Sequence, residues 1–244
     1  MIRSKIYYFL SVPVFIVLYT YTAVVVLLVM LFSFLSWKKA IYGIIQFWAK
    51  SVFPIMGKRL HIKGRENFEK GKKYILLANH SSNFDIMGIM AIFPSVSWFG
   101  QEYLLRIPLF GRVLKMIDYI PMSIANIRNT RRMVTQLVEN SNSKTVAIFP
   151  EGTRTINGRL NPFYRGFIYL LRASETDILP VTLNGFFELK PKTRFHINFS
   201  ARLEVIIHKP INASELLQLE DKEIIDSIRE IIESASSYKN IENQ

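Results

Sequence analysis

The sequence has no cysteine among its 244 residues. This absence excludes disulfide bonds, thiolate metal sites and a cysteine nucleophile. The sequence also lacks the H-E-x-x-H pattern of zinc enzymes and the G-x-S-x-G pattern of serine hydrolases. We therefore expect no metal, and a serine hydrolase using Ser81 or Ser82 beside His80 is disfavoured.

Acidic residues are few: 19 Asp and Glu stand against 31 Lys and Arg, so the formal net charge is +12. Such an excess attracts polyanions, which include nucleic acid, anionic lipid headgroups and phosphorylated substrates. The mean hydropathy of +0.18 favours a membrane surface over nucleic acid.

No charged residue occurs from Ile6 to Ser36. This run exceeds the length of about 20 apolar residues that spans a bilayer. It can cross the membrane with a tilt, bend at Pro13, or form a shallow re-entrant hairpin. A signal peptide is disfavoured, because the run is longer than an ordinary signal core and no small-x-small cleavage site follows it. Basic residues flank both ends, so charge asymmetry does not assign one orientation.

A second helix is predicted over residues 39–56, where apolar side chains recur at helical spacing. This amphipathic helix can lie among lipid headgroups or pack on a soluble domain. Gly57 is typical of a residue that ends a helix. We predict a membrane-anchoring segment over residues 1–57 and a separate domain over residues 58–244.

Short apolar runs alternate with helical patterns in residues 58–244, which predicts an α/β fold with a layered sheet and flanking helices. The predicted strands cover residues 74–78, 97–99, 145–149, 178–183 and 202–208. The predicted helices cover residues 85–92, 128–138 and 166–173. A last helix begins at Asn212 or Ser214 as its cap and presents isoleucines on one face: Ile224, Ile225, Ile228, Ile231 and Ile232.

The segment NHSSNFD places His80 and Asp85 after an apolar strand and before an apolar helix. On one continuous helix the two side chains would point about 140° apart. If His80 lies in the turn and Asp85 in the first helical turn, with Ser82 or Asn83 as the cap, they can meet. The carboxylate then orients the imidazole as a general base, and the nucleophile is a hydroxyl of the substrate. The alternative is a turn histidine beside an aspartate that the helix dipole favours.

The segment FPEGTR follows the strand at 145–149 and contains Glu151, Gly152, Thr153 and Arg154. Glycine lets the backbone approach a ligand closely, and arginine offers a planar set of donors suited to phosphate. Arg159 and Arg165 follow within a few residues. Together these residues predict a phosphate-binding loop, whereas any one arginine alone is more typical of a solvated loop.

NHSSNFD resembles the H-x4-D motif of the glycerolipid acyltransferases, and FPEGTR resembles their phosphate-binding motif. The segments IPLFGRVLKMIDYIPMS and ILPVTLNG are similar to two further motifs of that family. The resemblance covers residues 58–183 and is closest to the PlsC-like branch that acylates 1-acylglycerol 3-phosphate. It implies a glycerol-3-phosphate acyltransferase-like fold.

The resemblance also implies that His80 and Asp85 are catalytic and that Glu151, Gly152, Thr153, Arg154 and Arg165 bind the acceptor. The acyl donor would be acyl-CoA or acyl carrier protein, with no cofactor. The partners would be membrane lipid and a lysophospholipid, not nucleic acid. The catalytic domain would face the cytoplasm.

Two departures from the family pattern affect the acceptor site. The middle motif lacks its usual arginine at Ile120–Ile124, so Arg128, Arg131 or Arg132 would have to supply the charge, and Tyr164 stands in place of a lysine. Another lyso-lipid acceptor, such as a lysophosphatidylglycerol, therefore remains an alternative. A non-enzymatic basic membrane protein is a further one.

Overall fold

The computed structural model describes residues 2–35, 37–93, 95–107, 110–116, 119–122 and 145–237. The predicted helix at residues 128–138 lies outside these described residues, as do Arg128, Arg131 and Arg132.

Within these described residues, seven strands form one sheet in the order β1-β7-β6-β2-β5-β3-β4. The strands are β1 Leu60–Lys63, β2 Ile75–Ala78, β3 Ser97–Gln101, β4 Ile120–Met122, β5 Val146–Ile148, β6 Ile178–Asn184 and β7 Leu203–Ile207. Strands β6, β2, β5, β3 and β4 run parallel to one another, while β7 is antiparallel to β6 and parallel to β1. Every residue of β2, β5 and β6 is buried, as expected for parallel strands covered on both faces.

Helices cover both faces of this sheet. They are α1 Ile2–Phe34, α2 Lys38–Ile55, α3 Phe84–Ile92, α4 Phe110–Met116, α5 Gly166–Ser174, α6 Phe186–Leu189, α7 Ala213–Leu216 and α8 Asp221–Ser234. Successive strand residues point to opposite faces, so Leu76 joins a core with α1, α2, α3 and α6, whereas Ile75 and Leu77 join a core with α5 and α8. The predicted layered α/β fold is confirmed.

The apolar run is one continuous helix, α1, that includes Pro13, and a hairpin within the run is not formed. Helix α1 is long and apolar enough to cross a membrane. It turns at Trp37 into α2, and the two helices pack side by side. The Tyr21 hydroxyl lies 2.7 Å from Ser51 Oγ, and Trp48 Nε1 donates to Thr22 Oγ1 at 3.1 Å. These pairings, with a turn between them, make α1 and α2 an antiparallel hairpin.

Helix α2 buries Ile41, Ile45, Ala49, Val52 and Phe53. This stripe packs between α1 and α3 in the same core as the sheet, so α2 is a helix packed on the domain. Gly57 follows with a φ of +66°, the left-handed conformation that the predicted helix end requires.

The last helix begins later than predicted. Asn212 precedes the short α7, and its side chain donates to Glu215 Oε1 and accepts no backbone N–H of the helix. The cap of α8 is Glu220, whose backbone N–H donates to the Glu223 carboxylate at 2.9 Å in a capping box. The predicted caps Asn212 and Ser214 are therefore wrong for α8, because α7 and a turn separate them from it. Ile224, Ile228 and Ile232 are buried, while Ile225 and Ile231 are half-buried.

Candidate active site

The candidate site lies where the parallel strands β2 and β5 end. Asn79, the first residue after β2, donates from Nδ2 to the Leu183 carbonyl at 3.0 Å and accepts from the Leu183 N–H at 2.7 Å. The side-chain amide of Asn79 thus makes the pair of hydrogen bonds to β6 that a further backbone residue of β2 would otherwise make. It fixes the point at which the chain leaves the sheet and turns into the loop that carries His80. In open α/β sheets, ligands bind at this carboxyl edge of the strands.

His80 and Asp85 are in contact, as their spacing predicted. His80 Nδ1 lies 2.9 Å from Asp85 Oδ2. The same carboxylate oxygen accepts the N–H groups of Ser81 at 2.6 Å and Ser82 at 2.8 Å. Asp85 has no exposed surface, and its carboxylate accepts all of these donors. A buried carboxylate surrounded by donors requires Nδ1–H on the ring, which leaves the lone pair of Nε2 to accept a proton.

The start of α3 differs in detail from the prediction. Asn83 occupies the cap position, but its side chain makes no cap hydrogen bond. Ser82 Oγ instead accepts the Phe84 N–H at 3.3 Å and donates to the Lys190 carbonyl at 2.7 Å. Ser81 and Ser82 are both buried, and each hydroxyl is directed at a protein acceptor. Neither is presented as a nucleophile, which further disfavours a serine hydrolase.

Aromatic rings hold the imidazole plane. The His80 ring stacks on Phe149, with centroids 3.9 Å apart and planes within 9°. Phe149 in turn stacks on Trp98 of β3 at 5.4 Å. The His80 side chain keeps 15% of its surface exposed. The imidazole is thus fixed in orientation on one side and open to solvent on another.

The two predicted motifs are joined through Glu151. One carboxylate oxygen of Glu151 accepts the His80 N–H at 2.7 Å, and the other accepts the Asn161 N–H at 2.8 Å. The Thr155 N–H donates to the His80 carbonyl at 2.9 Å. Glu151 is 1% exposed, and burial, reinforced by the charge of Asp85, raises its pKa to about 7 despite these backbone donors. Both of its oxygens are engaged within the protein, so its contacts fix the two loops against each other.

The remaining predicted binding residues line the outer side of this loop. Gly152 has a φ of +64°, and a Cβ there would meet the Tyr164 ring at 3.2 Å. Thr153 is exposed and Arg154 is half-buried. Arg165 is exposed at the first turn of α5. No carboxylate pairs with Arg154 within the described part of the chain, so its guanidinium is available for an anion.

Lys190 is a site residue that the sequence did not reveal. Its carbonyl accepts the Ser82 hydroxyl, which places it against the His80 loop. Burial lowers the pKa of its ammonium, and the positive charges of Arg154 and Arg194 lower it further. A cluster of cations that repel one another in a loop region beside His80 is typical of a site for a phosphate. A lone lysine after a short helix carries no such signal in the sequence.

Comparisons with known proteins agree with this geometry. The family model described as Acyltransferase matches residues 59–184. The chain is 27% identical over 181 residues to the chloroplastic 1-acyl-sn-glycerol-3-phosphate acyltransferase LPAT1 of Arabidopsis thaliana, which covers 73% of this chain and 50% of that protein. It is 22% identical over 178 residues to the mouse 1-acyl-sn-glycerol-3-phosphate acyltransferase alpha, covering 72% of this chain and 62% of that protein. The chain thus spans only half to three-fifths of these relatives.

A solved structure shares the fold along nearly the whole chain. The crystal structure of the 1-acyl-sn-glycerophosphate (LPA) acyltransferase PlsC from Thermotoga maritima superposes with a TM-score of 0.81. The match covers 93% of this chain and 95% of that one, at 22% sequence identity. The similarity therefore includes the N-terminal helices as well as the sheet.

Proposed function

Because the chain belongs to the acyltransferase family, we propose that it transfers a fatty acyl group from a thioester to the free hydroxyl of 1-acyl-sn-glycerol 3-phosphate, forming phosphatidic acid. The observation that carries this proposal is the contact between His80 and the buried Asp85, hydrogen-bonded through Glu151 to a loop that bears Arg154. The plant and mouse relatives are named as acyltransferases of this acceptor, which supports the same assignment here.

The proposed chemistry begins at His80 Nε2. This nitrogen removes the proton of the acceptor hydroxyl while the hydroxyl oxygen attacks the thioester carbonyl carbon. Asp85 stabilises the imidazolium that results, through the Nδ1 hydrogen bond. The C–S bond then breaks, and the leaving thiolate takes the proton back from His80. The new ester and a free thiol are the products, and no metal or organic cofactor enters the balance.

Arg154 and Lys190 would bind the phosphate of the acceptor. Their charges approach each other beside the His80 loop, where a phosphate would offset the repulsion that lowers the pKa of Lys190. Gly152 would allow the backbone to approach the glycerol, and Thr153 and Arg165 lie exposed nearby. Glu151 would act on the acceptor indirectly, because its oxygens hold the His80 and Asn161 N–H groups. Holding the hydroxyl in attack geometry supplies much of the rate.

One observation supports a second class of acceptor, a lyso-lipid with a phosphodiester headgroup. Strand β4, Ile120–Met122, ends in the middle motif without an arginine, and the residues that follow lie outside the described part of the chain. A phosphodiester acceptor such as lysophosphatidylglycerol needs fewer cations than a phosphomonoester. Profiling purified enzyme against both acceptors decides between them, and a preference for the diester would overturn the first assignment.

Helix α1 would bring the site to its substrates, which reside in the bilayer. The basic surface would hold the enzyme to anionic lipid, at about 1 kcal/mol for each well-placed cation. We place the catalytic domain on the cytoplasmic face, where such lipids and thioester donors meet. The donor would be acyl-CoA or acyl carrier protein.

The deciding experiment measures thiol release from acyl-CoA and from acyl carrier protein in the presence of lysophosphatidate. Wild-type protein should release thiol with formation of phosphatidic acid, and His80→Ala should lose this activity while keeping its helical circular dichroism. His61→Ala, which removes an exposed histidine from β1, is the matched control and should behave as wild type. Activity that survives in His80→Ala would refute the proposal, and stoichiometric labelling by a fluorophosphonate would instead indicate a serine enzyme.

A further inference from the structure

The segment 190–200 connects the candidate active site to helix α1. At one end the Lys190 carbonyl accepts the Ser82 hydroxyl beside the catalytic pair. At the other end the Ile197 N–H donates to Ser11 Oγ at 2.8 Å, and the Ser200 hydroxyl lies 2.5 Å from the Tyr7 hydroxyl. We propose that this segment, which we term the 190–200 loop, is a second membrane contact that rests on an anionic bilayer beside α1. The inference concerns docking and goes beyond the proposed reaction.

The apolar part of this contact is Phe195. Its side chain is 52% exposed, although it lies in a chain rich in buried aromatics. Its ring contacts Tyr8 and Phe15 of α1, with centroids 5.3 Å and 5.2 Å away. Tyr8 is itself 49% exposed. The exposed apolar surface of α1 therefore continues without a break onto the catalytic domain, and aromatic rings in this position are typical of membrane interfaces.

Several hydrogen bonds from cationic side chains to backbone carbonyls connect the 190–200 loop to itself and to the domain. Arg194 donates from Nε to the His196 carbonyl at 3.2 Å and from Nη2 to the Leu189 carbonyl at 3.1 Å. Lys190 Nζ donates to the Arg194 carbonyl at 3.1 Å. The buried Lys58 donates to the carbonyls of Phe199 and Ala201. Cations are thus used to fix a loop whose aromatic tip faces outward.

The positive charge of the 190–200 loop favours a bilayer with anionic headgroups as its partner. The 190–200 loop contains three cations, Lys190, Lys192 and Arg194, and no acidic residue, and Arg202 follows two positions after it. Lys192 and Arg202 are exposed. A surface that combines exposed cations with an exposed aromatic ring, beside a long apolar helix, is complementary to a bilayer with negative headgroups. A protein partner would leave the apolar face of α1 unmatched, because that face extends along the helix far beyond the loop.

The absence of cysteine makes a direct test possible, since a single introduced thiol can be labelled. Phe195→Cys and Lys192→Cys would each carry a nitroxide spin label in the full chain. Tyr169→Cys is the control, because Tyr169 is 44% exposed on α5, which covers the opposite face of the sheet. The labelled proteins are bound to vesicles of phosphatidylglycerol and phosphatidylethanolamine. Collisions of each label with oxygen, which enriches in lipid, and with a water-soluble nickel complex are then measured.

The label at residue 195 should show a ratio of oxygen to nickel collisions several-fold above that at residue 169. The label at residue 192 should show an intermediate ratio, as expected at headgroup depth. Replacing phosphatidylglycerol by phosphatidylcholine should lower both ratios. Equal ratios at 195 and 169 would overturn the proposal. A label at 195 that neither reagent reaches would also overturn it, because a protein would then cover the loop. None of these readouts requires catalysis, so failure of the proposed reaction leaves the test intact.

Discussion

Replacement of Glu151 by Gln tests whether the buried carboxyl links the two motifs as described. The amide of Glu151→Gln keeps one carbonyl acceptor but puts an NH2 group opposite a backbone N–H of His80 or Asn161. Two donors then face each other in a buried site, which costs about 1–3 kcal/mol of unfolding free energy. We therefore expect a less stable protein and a displaced His80 loop.

The pH dependence of the unfolding free energy gives a more specific test of Glu151. Burial raises the pKa of Glu151 from 4.5 to about 7, so the folded state holds this proton more tightly than the unfolded state. The stability linked to the group is therefore largest at low pH and is lost as the pH rises through the window from 4.5 to 7. Between pH 5 and pH 7 the loss amounts to about 2 kcal/mol for this group alone. Glu151→Gln removes the ionisation and with it this slope.

The assay is denaturant unfolding in detergent micelles at pH 5, 6 and 7, for wild type and for Glu151→Gln. The difference in unfolding free energy between the two proteins should shrink by about 2 kcal/mol from pH 5 to pH 7. Asp226→Asn, which removes an exposed carboxyl from α8, is the matched control. Parallel curves for wild type and Glu151→Gln would refute the assignment of a buried, proton-holding carboxyl at this position.

Three further predictions concern the site and the anchor. His80→Ala should lower kcat for acyl transfer by about 10²–10⁴-fold with little loss of stability, measured by thiol release and circular dichroism. Lys190→Gln should raise KM for a phosphomonoester acceptor more than it lowers kcat, whereas the exposed neighbour variant Lys192→Gln should leave KM for the same acceptor, presented in detergent micelles, near wild type. Ser11→Ala should cost about 1–3 kcal/mol in denaturant unfolding, because the buried Ile197 N–H loses its acceptor; an unchanged midpoint would contradict that role.

Strands and helices whose residues are mostly apolar could be predicted from the sequence. Strands β2, β5 and β6 are buried on both faces and therefore read as unbroken apolar runs. Strand β1 alternates half-buried with exposed residues, and its four residues include His61 and Lys63, so no apolar run announces it. Strand β4 contains Pro121, which argues against a strand unless the strand lies at an edge, as β4 does.

The contacts of the candidate site were likewise predictable from the sequence only in part. The contact of His80 with Asp85 follows from local spacing once the first residue is placed in a turn. The family resemblance implied that Glu151 binds the acceptor, and no spacing in the sequence pointed to its contacts within the protein. Its partners are backbone N–H groups, which a sequence does not display. Lys190 comes close to Arg154 because Lys190 follows β6 and Arg154 follows β5, and both strands pair with β2.

The hydrogen bonds that connect α1 to the 190–200 loop affect the order in which the protein folds during synthesis. Ser11 and Tyr7 find their partners 186 and 193 positions later in the chain. At translation rates of about 5–20 residues per second, the first helix therefore waits roughly 10–40 s for the segment that completes its binding site. During that interval its exposed leucine, valine and phenylalanine side chains need an apolar environment that the rest of the protein does not yet provide. A lipid bilayer provides such an environment. The nascent chain would therefore bind the membrane through α1 first and fold its sheet afterwards, at the membrane surface.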